Sequence, residues 1–252
     1  MANKYAPQGG GFSWDNVTQW CDSDDGVQDT AAPGAGDVAI FTANSAPPVV
    51  TDNVAMLGLT MTGFGGAALH SVGVSTKTID IGTSGATLEG TWGGAAAIYC
   101  AGTLAVAAGT TFTTTYTLAM DGTGNLTVGA GVVLPATTIN TAGTVTATSA
   151  ISAAAFTLTA GTYADGGFAH NITGGDLNLG SGTLTSTGTW TVQGTGVIMN
   201  SGVDRKPARL AIASGATASI HAAGSLVVAA LDGSGALNLA GRVLWVYLPG
   251  AA

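Results

Sequence analysis

Leu104-Ala-Val-Ala-Ala-Gly109 and Leu126-Thr-Val-Gly-Ala-Gly131 are two copies of one short pattern, apolar-x-apolar-x-x-Gly. Variants of it return as Ile79-Asp-Ile-Gly-Thr-Ser-Gly85, Phe156-Thr-Leu-Thr-Ala-Gly161, Leu177-Asn-Leu-Gly-Ser-Gly182, Leu210-Ala-Ile-Ala-Ser-Gly215 and Leu237-Asn-Leu-Ala-Gly241. An apolar residue at every second position gives a strand one inward face. The glycine that follows lets the chain turn through positive φ. The copies start about 26 residues apart on average, and a period in the twenties marks a solenoid. One copy cannot bury its apolar face alone. Copies stacked at about 4.8 Å per rung enclose a continuous core. The reading is an all-β chain folded as a right-handed parallel β-solenoid.

Composition agrees. The chain has 252 residues, 40 of them Gly, and only 8% are charged, against about 25% in an ordinary domain. With 46% apolar residues it is the reverse of a disordered chain, which pairs high charge with low hydrophobicity. Thr and Val recur and favour strands, whereas Glu occurs once, as Glu89. No segment combines a helical apolar period with a cap. A β-sandwich would need hairpin turns, and Asp121-Gly122, Asp165-Gly166 and Asp232-Gly233 are of that type. Three such turns do not account for the recurring unit. The longer gaps between copies, 139–156 and 188–209, suggest projecting loops.

The opening stretch, 1–55, differs in texture. It holds Trp14, Trp20, seven acidic residues and Pro7, Pro33, Pro47 and Pro48. It reads as an irregular N-terminal cap or attachment region, with the solenoid proper spanning 56–252. A cap is expected because an open terminal rung recruits other chains. At the other end, Val243-Leu-Trp-Val-Tyr-Leu248 is a strongly apolar strand. Assembly contacts are therefore expected at Trp14, Trp20, Val243, Trp245, Tyr247 and Leu248, in a homo-oligomer.

Net charge is −8, which argues against nucleic acid as a partner, since that needs a basic face. Arg205, Lys206 and Arg209 read as a solvated loop. No apolar run is as long as a membrane-spanning helix requires, so no membrane insertion is expected. Cys21 and Cys100 are too few for a disulfide framework and read as free, buried thiols. Met1-Ala-Asn-Lys-Tyr-Ala-Pro7 lacks the apolar core of a signal peptide, so synthesis in a cytoplasm is expected.

The chemistry-bearing residues are sparse. His70, His170 and His221 have no zinc spacing, and Asp22-Ser-Asp-Asp-Gly26 fails the EF-hand ladder, though an irregular Ca²⁺ site there is testable by calcium titration. No nucleophile elbow or P-loop occurs. Glycoside cleavage needs two carboxylates about 5–10 Å apart, for which Asp80 with Glu89, or Asp165 with Asp176, are the candidate pairs. Trp92, Tyr99, Tyr116, Tyr163 and Trp190 are the aromatics that could stack on a glycan. No catalytic site, cofactor or metal is expected, and the chain reads as non-enzymatic.

Trp14-x5-Trp20, Pro33-Gly-Ala-Gly-Asp37, Ala39-Ile-Phe41 and Val49-Val-Thr-Asp52 together resemble the opening of β-solenoids in bacterial adhesins and autotransporter passengers. They also resemble solenoid structural proteins of tailed bacteriophages. The resemblance covers positions 1–50 in pattern and the remainder in texture. It implies a virion location, after synthesis in the bacterial host, as a capsid decoration, tail fibre or spike subunit. Such a subunit is often a trimer, with capsid or tail proteins as partners and a host-surface glycan as a candidate ligand. The phage reading is preferred because no export signal is seen. A surface adhesin and a polysaccharide-degrading tailspike are the alternatives.

Overall fold

The computed structural model describes residues 2–8, 12–14, 19–23, 31–46, 48–50, 52–64, 70–71, 77–93, 96–113, 117–200, 207–220, 226–239 and 244–246. Among these there are strands, turns and bends but no helix. The chain divides into two compact units, Met1–Val132 and Val133–Ala252.

In the first unit, β1 (Asn3–Tyr5), β2 (Phe12–Ser13), β3 (Val38–Thr42), β4 (Pro48–Val50), β5 (Val54–Thr62), β6 (His70–Ser71) and β7 (Lys77–Leu88) are followed by β8 (Thr91–Trp92), β9 (Ala96–Cys100), β10 (Leu104–Val106), β11 (Thr111–Phe112), β12 (Thr117–Met120) and β13 (Gly124–Val128). All these strands pair in parallel. β1 pairs with β3, β3 with β5 and β5 with β7. The long β7 bends at its middle. Its first half, Lys77–Ile81, leads to β9 and on to β12, while Ala86–Leu88 leads to β10 and on to β13. β2, β4 and β6 form a second ladder, and β8 with β11 a third.

The second unit repeats the plan. It contains β14 (Ala136–Ala147), β15 (Ile151–Ala153), β16 (Phe156–Ala164), β17 (His170–Ile172), β18 (Leu177–Asn178), β19 (Thr183–Thr185), β20 (Thr189–Val192), β21 (Thr195–Asn200), β22 (Arg209–Ile212), β23 (Thr217–Ile220), β24 (Leu226–Val228), β25 (Ala230–Gly233), β26 (Ala236–Asn238) and β27 (Leu244–Val246). β14 pairs with β16 through both halves. β16 then hands its first half to β18 and its second to β19. β15, β17, β20, β22 and β25 form a separate five-stranded parallel sheet. Each turn of chain thus visits successive faces and returns beside itself, which is a parallel β-solenoid.

The alternation predicted from sequence is the packing. In the first unit, Ala39, Leu59, Ala86, Leu104 and Leu126 stack in register and are all buried. Two positions along, Phe41, Met61, Leu88, Val106 and Val128 do the same. Between the two columns, Ile40, Thr60, Thr87, Ala105 and Thr127 point outward. The glycines that end the motif sit at corners. Gly85, Gly109, Gly131, Gly161 and Gly215 all have φ between +77° and +83°, a region nearly closed to residues with a Cβ.

Three expectations change in detail. First, from β7 onward one turn is shorter than the mean motif spacing. Leu104 pairs with Ala86 on one side and with Leu126 on the other, and Ile151, His170, Trp190, Leu210 and Leu231 follow one another from turn to turn. Every one of these steps is smaller than the mean distance between motif copies. The motif encodes a strand and its corner, and each turn has several of these. Leu177 and Leu210, for instance, lie on different sheets. Second, of the two stretches expected to project as loops, 139–156 and the described part of 188–209 hold strands, while 201–206 lie outside the described residues. Third, the N-terminal region both caps and builds. Tyr5 donates its N–H to the Cys21 carbonyl (2.8 Å) and accepts from the Cys21 N–H (3.0 Å) on the edge away from β3. Yet β1 to β4 are already rungs. The Asp-Gly pairs are not hairpins either, since the strands flanking them, β12, β13, β16 and β25, pair in parallel with strands of neighbouring turns.

Candidate functional site

The densest polar cluster is in the second unit. It is built from the corner after β16. Asp165 is 1% exposed. Its Oδ1 accepts from the Gly167 N–H (2.9 Å), in its own corner, and from the Thr187 N–H (3.1 Å), one turn of chain later. Its Oδ2 accepts from Ser186 Oγ (2.5 Å), the Gly188 N–H (3.1 Å) and Trp190 Nε1 (3.3 Å). Ser186 Oγ in turn accepts from the Ala208 N–H (3.2 Å) in the turn after that. Three consecutive turns are joined through one carboxylate and one hydroxyl. Burial alone would raise the Asp165 pKa. The hydrogen bonds from Ser186, Gly167, Thr187 and Gly188 outweigh it and hold the carboxyl below its ordinary range.

Beside this corner, β17 places His170 in the core directly opposite Trp190 in β20. The two rings meet edge to face at 4.6 Å, and Tyr163 and Phe156 complete an aromatic cluster. The Ile151 N–H donates to His170 Nδ1 (3.4 Å), which leaves the ring proton on Nε2, facing Tyr163 Oη at 3.1 Å. Burial lowers the His170 pKa and raises that of Tyr163. Both are therefore neutral at pH 7. Asp, His and Ser lie close in sequence here, but the connectivity is not that of a nucleophile and its base. Ser186 donates to Asp165, and His170 faces Tyr163.

Comparison with protein-family models, with curated proteins and with solved structures finds no match.

The structure redistributes the residues singled out in the sequence. Trp14 and Trp20 are fully buried, 5.2 Å apart edge to face and packed on Phe41. They are core residues of the first unit, not exposed contacts, because large rings gain most by leaving water. Trp245 lies on β27 opposite Val227. Val243, Tyr247 and Leu248 lie outside the described residues, as do Tyr116, His221 and most of Asp22–Gly26. Trp92, Tyr163 and Trp190 are buried too, which leaves Tyr99 as a partly exposed ring.

The carboxylate pairs are not assembled into an acid and its partner. Asp80 lies outward on β7 opposite Ala55 and Tyr99, whereas Glu89, beyond the end of β7, accepts from the Phe64 N–H (2.9 Å). Asp165 is saturated by donors, while Asp176 is exposed. Glu89 borders an open depression of about 400 Å³ with Gly63, Phe64, Gly90, Thr91 and Gly109, and it is the one carboxylate among the described residues of that lining. Cys21 and Cys100 are buried and form no disulfide. Burial pushes the Cys100 thiol up to about 11. The Asp165 corner was missed from sequence because its donors are mostly backbone N–H groups, which carry no sequence signal.

Proposed function

We propose that this chain is a non-enzymatic structural subunit of a larger assembly, and specifically a virion component of a tailed bacteriophage, of the capsid-decoration or fibre and spike type. The structural half of the reading is supported by one observation above all. The best-connected polar side chains described, Asp165, Ser186 and His170, hold consecutive turns of the coil to one another. Of the candidate carboxylates for glycoside cleavage, Glu89 and Asp165 each accept hydrogen bonds from backbone N–H groups, while Asp80 and Asp176 are exposed. The phage half rests on the resemblance of residues 14–52 to the opening of phage solenoids.

Mass spectrometry of purified phage particles tests it. The expected result is the chain at a fixed stoichiometry to the capsid or tail proteins, and its absence from particles sinks the virion role. Incubation with neutral and acidic polysaccharides is the companion experiment. Chain shortening there would establish the tailspike alternative instead.

A further inference from the structure

We propose that the Asp165 corner, together with His170, is an acid-operated latch on the turns of the second unit: closed at neutral pH, it releases the corners at 165–168, 186–188 and 208 as acid is added.

The argument is one of donors and acceptors. All five groups around the Asp165 carboxylate are donors: three backbone N–H groups, a hydroxyl and an indole N–H. An ionised carboxylate has acceptor sites for all of them. A protonated one carries a donor of its own and turns it toward other donors. At least one contact must then break, with the broken partner left in a buried site. The same holds one layer inward. His170 Nδ1 accepts from Ile151 N–H, and a second ring proton would set N–H against N–H at a position 1% exposed.

Among the described residues the one charge that acts on His170 is Asp165 itself, which with the Ala169 backbone favours the protonated ring, and burial outweighs both. β16 contributes Tyr163, neutral and raised by burial and by Asp165. β20 contributes the uncharged Trp190. Arg209, at the start of β22, faces outward in an ion pair with Asp232. The two triggers act at different pH. His170 is depressed below its ordinary 6.5, so its contribution is complete above that value and is lost as pH falls through its lower value in the fold. Asp165 is depressed below its ordinary 3.8, so its contribution is lost only in stronger acid. Each proton taken up on opening shifts the equilibrium up to tenfold per pH unit.

Hydrogen exchange read by mass spectrometry on the full chain, normalised to intrinsic rates, tests the latch between pH 7.5 and 3. Peptides covering 162–170 and 184–192 should lose protection below pH 6.5, by up to tenfold per unit, and again below 4. Peptides covering β10 and β13 should hold through the first stage. His170→Phe should abolish the first stage and keep the second. Asp165→Asn, which offers one acceptor oxygen for two, should show at pH 7.5 the exchange that the native chain shows in acid. If Asp165→Asn does not fold, the native pH series and His170→Phe decide by themselves. Unchanged protection of both corner peptides from pH 7.5 to 4, or a first stage that survives in His170→Phe, overturns the proposal.

Discussion

A methyl group on Gly188 would lie 2.0 Å from the Phe168 carbonyl oxygen in the preceding turn. That contact is with backbone, so the rungs themselves would have to part. Gly109 presents the opposite case. Nothing lies within 4 Å of its Cβ position, but its φ is +83°. Gly188→Ala should therefore cost at least the roughly 1–3 kcal/mol typical of overpacking. Gly109→Ala should cost about 1–2 kcal/mol, the penalty of a left-handed backbone. Urea unfolding of the two variants checks the order, and Gly109→Ala as the costlier change would contradict it. The sequence marks both positions simply as Gly. Whether a glycine is needed for its φ or for its missing Cβ is decided by the neighbouring turn of chain.

At the scale of the strand, alternation does the sorting. Leu126 on β13 is fully buried in a column with Leu104, while its neighbour Thr127 points outward beside Ala105. Leu126→Ala should destabilise by about 2–5 kcal/mol, because the stacked turns cannot collapse into the space left behind. Thr127→Ala should stay within about 0.5 kcal/mol, as surface changes usually do. Thermal melting of both separates inward from outward, and a similar loss in each would mean that β13 faces differently. This alternation was legible from residue order, since side-chain direction along a strand has a period of two. The division of β7 and β16 between faces was not. Both read as continuous strand, and their two halves part only because a different strand of the next turn pairs with each half.

Taken together, the buried titratable groups set a window of stability for the whole chain. On the acid side His170 and Asp165 are depressed, so their contributions are full above 6.5 and 3.8 respectively and are lost as pH falls through the lower values of the fold. On the alkaline side the buried Cys100 thiol is raised from 9.0 to about 11, and Tyr163 is raised above its ordinary 10.0. The unfolded chain ionises first at these two groups, so their contributions are full below 9.0 and are lost as pH rises. Melting temperature should be flat between about pH 6.5 and 9 and fall on both sides, with a slope of about 1.4 kcal/mol per pH unit for each proton. A scan from pH 4 to 11 checks it, and a melting temperature that climbs steadily into alkali would contradict the buried state of Cys100. The ion pairs Lys77–Asp52 and Arg209–Asp232 are exposed on at least one side, and surface pairs of this kind contribute little.

By itself the sequence determined the all-β class, the parallel stacking, the inward columns and the buried cysteines without a disulfide. Those follow from local properties: a period of two, glycines after each strand, few charges, two cysteines. The tertiary structure decided the length of a turn, the burial of Trp14 and Trp20, and the Asp165 corner. Each of these depends on which residue of the next turn lies opposite. Variable corner lengths keep that register from being counted along the chain. Asp165 and Ser186 stand 21 positions apart with nothing in either to announce the other, and only the stacking of one turn on the next brings the carboxylate to the hydroxyl.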